Sequence, residues 1–147
     1  MSTSDLALLD TNILVYNHQA LSQFHGASRA LLERGLRGEL KLCVCPQVLL
    51  EFFAVITSPR KVTRPIDWNA GATEIERYIR AKNISKIYPA EDVLDLTMGL
   101  LKKYGAQDKE IFDLQLAATM LSNKVTRLYT YNQGDFLRIK EVEVLAP

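Results

Sequence analysis

Histidine is nearly missing from this chain: His18 and His25 are the only two in 147 residues. A Ser-His-Asp or Cys-His mechanism, in which a positioned imidazole moves the proton, therefore has little to stand on. Cysteine is equally sparse. Cys43 and Cys45 stand in KLCVCP, whereas metal pairs usually read CxxC and need a second Cys or His pair to close a zinc site. On a strand, residues two apart face the same side, so the two thiols suit core packing and are expected reduced. An excess of one charge sign is absent too. Lys and Arg number 18 against 17 Asp and Glu, and a net +1 makes no field that announces nucleic acid or membrane. Any nucleic-acid contact must then come from a local patch. Neither GxGxxG nor GxxxxGK[ST] occurs, which removes the common nucleotide-binding loops. No apolar run approaches the roughly 20 residues that span a bilayer. The polar MSTSD, followed by LALL cut short at Asp10, does not read as a secretory leader. A cytoplasmic location with no membrane partner is the expectation.

What is present is ordinary globular composition, 48% apolar and 24% charged, in a length that suits one domain over 1–147. Residues 1–5 are expected to form a flexible tail. Short apolar runs alternate with longer helical patterns. LALL (6–9), LCVC (42–45), ISKIY (84–88), RLYTY (127–131) and VEVL (142–145) read as strands buried on one or both faces. Helices are expected over 24–37 (Leu31, Leu32 and Leu36 inward), from Pro46 onward, over 68–82 behind an Asp67 cap, over 91–104, and after Asp108. The segment 58–67, SPRKVTRPID, is polar, basic and bracketed by prolines, hence a loop. Strands alternating with helices imply an α/β domain: a three-layer α/β/α sandwich with a mostly parallel sheet of four to five strands.

Three oily segments each carry one acid. VLLEFFAVI holds Glu51, LALLDTNILVY holds Asp10, and IFDLQLAATML holds Asp113. At helical spacing Glu51 shares a stripe with Val48, Ala54 and Val55, which places it on the core-facing side. In open parallel sheets ligands sit beyond the carboxyl ends of the strands. Asp10 ends the first strand, Glu51 lies early in the helix leaving the second, and Asp113 lies early in the helix leading into the fourth. Asp135, in TYNQGDF, follows the fourth strand. All four map to one rim. Clustered carboxylates repel, and burial raises their pKa values, which protonation or a divalent cation relieves. An all-oxygen donor set favours Mg²⁺ or Mn²⁺, as one or two ions that activate water at a phosphodiester. Taken singly, Asp10 also reads as a helix cap and Asp135 as a turn residue.

The ordered set LLDTNIL, PQVLLEFF, IFDLQLAATM and TYNQGDF resembles the PIN domain, closest to the VapC-type toxins of toxin–antitoxin pairs. The resemblance runs from about Leu6 to Leu145. It implies a PIN-like fold and a Mg²⁺- or Mn²⁺-dependent ribonuclease. Asp10, Glu51 and Asp113 match the core metal-binding acids, and Asp135 the more variable fourth. Asn12, Thr130 and Asn132 match supporting polar positions. The resemblance further implies a homodimer silenced by a cognate antitoxin protein. Gln115 departs from the pattern, where an aliphatic residue is more usual. Arg60, Lys61 and Arg64 in the basic loop are the candidates for RNA phosphates, with Trp68 a base-stacking candidate or, better, a core or interface residue. Arg77, Arg80, Lys82 and Lys86 read as a solvated face. The alternatives are a PIN-like RNA-processing nuclease outside a toxin–antitoxin pair and a non-catalytic binding module. Asp10→Asn and Asp113→Asn are both expected to abolish cleavage while leaving folding intact or improved.

Overall fold

Five three-residue strands make one parallel sheet in the computed structural model, which describes residues 5–147. They are β1 (Ala7–Leu9), β2 (Leu42–Val44), β3 (Ile84–Lys86), β4 (Arg127–Tyr129) and β5 (Glu143–Leu145), in the order β3-β2-β1-β4-β5. The tail expected over residues 1–5 lies outside the described residues except for Asp5, which is exposed. β1 and β2 are covered on both faces, so neither shows an alternating pattern: all six of their residues are buried. The edge strands β3 and β5 each keep an exposed residue, Ser85 and Glu143.

The helices among the described residues are α1 (Thr11–His18), α2 (His25–Leu36), α3 (Pro46–Ile56), α4 (Trp68–Arg80), α5 (Val93–Tyr104), α6 (Glu110–Ser122) and α7 (Gln133–Phe136). α1 packs on α2 and α3, and α3 on α4, whereas α5 packs on α6. The chain moves one way from β1 through β2 to β3, then returns to the other side of β1 for β4 and β5. Right-handed crossovers in opposite directions put the two helix groups on opposite faces, which completes the α/β/α sandwich. The strand order reverses between β1 and β4, and a crevice opens there at their carboxyl ends. No helix among the described residues is long and apolar enough to cross a membrane.

Local chemistry explains most element ends. Pro46 occupies the first turn of α3, where its missing N–H costs nothing. The Asp67 carboxylate accepts the Ala70 N–H at 2.8 Å and caps α4. Gly38, at φ +79°, turns the chain out of α2 in a conformation other residues resist. Two expectations are corrected. Asp108 does not cap α6: it sits at φ 50°, and the Glu110 carboxylate instead accepts the Gln107 N–H at 2.7 Å. Leu36 is not inward but 45% exposed, because the buried stripe of α2 runs through Ser28, Leu31, Leu32 and Gly35. Gly35 permits close approach to the sheet, since a Cβ there would stand 2.5 Å from Leu42 Cδ1. Cys43 and Cys45 are unpaired and buried, and burial pushes their thiols up to about 12 and about 11. Such thiols stay protonated and inert.

Candidate active site

Register delivers the first pair of site residues. Leu9 pairs with Tyr129, so Asp10 and Thr130 leave β1 and β4 side by side. The Thr130 hydroxyl donates to Asp10 Oδ2 at 2.8 Å. It accepts from Asn12 Nδ2 at 3.1 Å and from the Asn132 N–H at 2.9 Å. Those two donors occupy the lone pairs of the hydroxyl, so its single hydrogen goes to Asp10. Asp10 Oδ1 accepts the Thr11 N–H at 2.8 Å, and Asn12 Oδ1 accepts the Tyr131 N–H at 3.1 Å. Asp10 therefore caps α1 with one oxygen and leaves the other to Thr130, so capping does not exclude a site role. Burial raises its pKa above 3.8, the Thr130 and Thr11 bonds pull it down, and the Glu51 and Asp135 charges push it up again.

Glu51 requires a correction. It is exposed, as is Ala54, and the core stripe of α3 runs through Val48, Leu49, Phe52 and Ile56. α3 is apolar almost all round, so periodicity could not fix which face turns inward. Glu51 falls on the flank beside α1, where Oε2 accepts from Thr11 Oγ1 at 3.0 Å and Oε1 from Gln47 Nε2 at 3.2 Å. Asp113 lies in the first turn of α6, partly buried. Burial, then the charges of Asp135, Asp10 and Glu51, push its pKa from 3.8 up to about 6, and only Arg138 pulls it down. The Arg138 guanidinium does not neutralise the group: Nη1 donates to the carbonyls of Tyr104 and Gly105 at 3.0 and 2.8 Å, at the end of α5. Asp135 is exposed, in α7.

All four acids line one cleft of about 990 Å³, together with Asn12 and Asn132. Lys61 and Arg64 of the loop after α3 line it as well. Arg60 is exposed but stands outside that lining, so the basic trio is divided. Trp68 is neither core nor cleft; it is 72% exposed at the start of α4. Of the supposed solvated cations, Arg77 and Arg80 pair with Glu74 and Glu76, but Lys86 turns inward to the carbonyls of Ala81 and Ile84. Several residues at or behind the cleft have no separate signal in the sequence. Thr11 and Gln47 hold Glu51, and only the i, i+4 spacing of Gln47 to Glu51 hinted at a contact. His18 also lines the cleft, its ring edge-on to Phe52 with centroids 6.1 Å apart.

The acidic donors offer oxygen alone, which suits a hard cation. Among the described residues, no three Asp, Glu, His or Cys side chains close on one point as a ready-made cage. Mg²⁺ fits such an arrangement, because it takes one or two carboxylates and completes its shell with water and phosphate. Burial, with acidic neighbours adding to it, raises both Asp10 and Asp113, and a bound cation would relieve that repulsion.

The profile of the PIN domain matches residues 7–142 of this chain. The chain belongs to the PIN domain family. Among curated relatives, the ribonuclease VapC43 of Mycobacterium tuberculosis is 30% identical over 120 residues, 82% of each chain. Ribonuclease VapC24 of the same organism is 27% identical over 128 residues, 87% of each. Solved structures agree in fold. The M. tuberculosis toxin VapC20, described as cleaving the sarcin-ricin loop, superposes with a TM-score of 0.69 at 13% identity, over 96% of this chain and 99% of its own. VapBC2 of Rickettsia felis, solved with a promoter DNA fragment, gives 0.68 at 16% identity over 96% and 98%. This PIN domain is thus of the VapC type, and its acids occupy the carboxyl rim of a five-stranded parallel sheet.

Proposed function

We propose that this chain is a divalent-metal-dependent endoribonuclease, the toxin of a VapBC-type toxin–antitoxin pair. The observation that carries the reading is the gathering of Asp10, Glu51, Asp113 and Asp135 from distant segments into one cleft, where burial and then the neighbouring acids push Asp113 up to about 6. Natural folds place such mutual repulsion at working sites. The similarity to VapC ribonucleases supports RNA as the substrate. VapBC complexes among the structural neighbours support a cognate antitoxin as the partner.

In this reading Asp10, Glu51 and Asp113 hold the metal, with Asp135 as the fourth and more exposed acid. Bound there, one or two Mg²⁺ or Mn²⁺ ions would supply an activated water and neutralise charge at the phosphodiester. Thr130 keeps Asp10 oriented by donating to one of its oxygens, and Asn12 and Asn132 lock that hydroxyl in turn. Lys61 and Arg64 bind flanking phosphates; Arg60, outside the cleft lining, contributes less. The protein works as a homodimer in the cytoplasm and is silenced when its antitoxin covers the cleft.

The test is a cleavage assay on a mixed RNA panel with Mg²⁺, Mn²⁺ or EDTA, using Asp113→Asn as the contamination control. Metal-dependent cutting that disappears in the variant is the expected result. Absence of cutting together with no divalent-ion binding by the same sample overturns the reading and leaves a binding module. Co-expression with the product of an adjacent small gene, followed by loss of cutting, separates a toxin from an RNA-processing nuclease.

A further inference from the structure

Glu51 and Asp113 face one cleft from two helices that pack mainly on other helices. α3 packs chiefly against α1 and α4, and α6 against α5. One side chain bridges them. Gln47, one turn before Glu51 in α3, donates from Nε2 to Glu51 Oε1 at 3.2 Å and to the Phe112 carbonyl at 3.1 Å. Phe112 immediately precedes Asp113 in the first turn of α6. Both partners of Gln47 are acceptors only, so the amide has one workable orientation, with its NH₂ toward them and both hydrogens used. On its other side Glu51 accepts from Thr11, which follows Asp10. A continuous chain of contacts thus runs from Asp10 through Thr11, Glu51 and Gln47 to the residue before Asp113.

We propose that Gln47 is a positioning residue: its carboxamide fixes the Glu51 carboxylate against the first turn of α6, so that Glu51 and Asp113 present their oxygens to a common cation. The inference rests on the metal-dependent reading above and deepens it. An exposed glutamate has freely rotating side-chain torsions, and without a donor on each oxygen it spreads over several rotamers. Gln47 removes that freedom from one side and ties the same atom group to the second helix. Partners of this kind behind a metal-binding carboxylate typically matter by about 10-fold or more in affinity or activity.

Gln47→Met keeps length, volume and helix preference while removing both N–H groups. The expected result is a fall of about 10-fold in Mn²⁺ affinity, read from the spin-resonance signal of free Mn²⁺, with the melting temperature within about 3 °C of the parent. In the cleavage assay kcat should fall while KM for RNA stays within about twofold. In an Glu51→Gln background the same substitution should change Mn²⁺ affinity no further, because Gln47 acts through Glu51. Unchanged Mn²⁺ affinity in a folded Gln47→Met protein, or an equal loss in both backgrounds, overturns the proposal. A metal-free measurement keeps it separate from the ribonuclease reading: the Gln47 side-chain NH₂ resonances should exchange slowly with water and shift in Glu51→Gln. Free exchange of that NH₂ means the tie is absent in solution, and the proposal falls even if the chain cuts RNA. Slow exchange in a chain that neither cuts RNA nor binds a divalent ion upholds the tie and sinks only the enzymatic reading.

Discussion

Asp10 and Glu51 line the same cleft, and they are held there by opposite means. Asp10 is buried at the junction of β1 and β4. Strand pairing sets its backbone, a backbone N–H holds one oxygen, and a fully buried hydroxyl holds the other. Glu51 is exposed on the flank of α3, and both donors to it, from Thr11 and Gln47, are side chains. Ordering such a side chain costs rotamer entropy of up to roughly 2 kcal/mol, which it takes both donors together to offset. One edge of the site is thus part of the folding core, and the other is held by side chains alone. A change at the Asp10 edge should cost stability as well as activity; a change at the Glu51 edge should cost activity alone.

Asp10→Asn is the strongest way to break that contrast, and it departs from the simple expectation that neutralising an acid relieves the fold. An amide can accept on one side only, so either the Thr11 N–H or the Thr130 hydroxyl loses its partner in a buried place. We expect cleavage to fall at least about 100-fold and stability by about 1–3 kcal/mol, seen as a melting temperature lower by several degrees. Thr130→Val should act next, with nearly the same volume but no donor for Asp10 and no acceptor for the Asn132 N–H. A loss of about 2 kcal/mol in denaturant unfolding is expected, and no loss at all would mean the network contributes nothing to the buried edge.

Asp113→Asn should move stability the other way. In the metal-free chain, burial and three acidic neighbours hold the Asp113 carboxyl at about 6, above its ordinary 3.8. Between those pH values the folded state binds the proton and the unfolded state does not. Stability therefore declines as pH rises from about 4 to about 6 and stays lower above that, with the raised Asp10 adding in the same direction. Thermal melts from pH 4.5 to 7.5 should show a shallower decline in Asp113→Asn, and at pH 7.5 a melting temperature higher by about 2–5 °C. A variant as steep as the parent would place the titration elsewhere. Glu51→Gln should leave the melting temperature within about 2 °C while reducing cleavage as severely as Asp10→Asn, the sharpest form of the contrast between the two edges. Smallest of all, Lys61→Ala and Arg64→Ala should each lower the salt dependence of RNA binding by about one phosphate contact, and Arg60→Ala by less.

Much of this is legible in the sequence. The strand cores were placed to within two residues, because continuous apolar runs between turn residues read the same way in any parallel sheet. The convergence of four acids followed from topology alone. Each miss has its own cause. Glu51 was assigned to the core face because VLLEFFAVI is apolar on nearly every side, so its periodicity carries no phase. RLYTY was read as strand to Tyr131, while β4 ends at Tyr129; the polar residues beyond it are recruited by Asn12 rather than by a neighbouring strand. Of the two places the sequence suggests for Trp68, core or interface, the core is excluded: it opens α4 with its ring exposed, since the buried positions of that helix are Gly71 and Tyr78.

The sequence by itself determined the class of fold, the order of its elements, and which residue types could do chemistry, since local apolar runs, prolines and caps act over a few neighbours. Only the tertiary structure decided which atom of each acid is held, and by what. The bond from Thr130 to Asp10 spans 120 residues, and that from Thr11 to Glu51 spans 40. Hydrogen bonds demand alignment within a few tenths of an ångström, and across such separations only strand register and helix packing can set it.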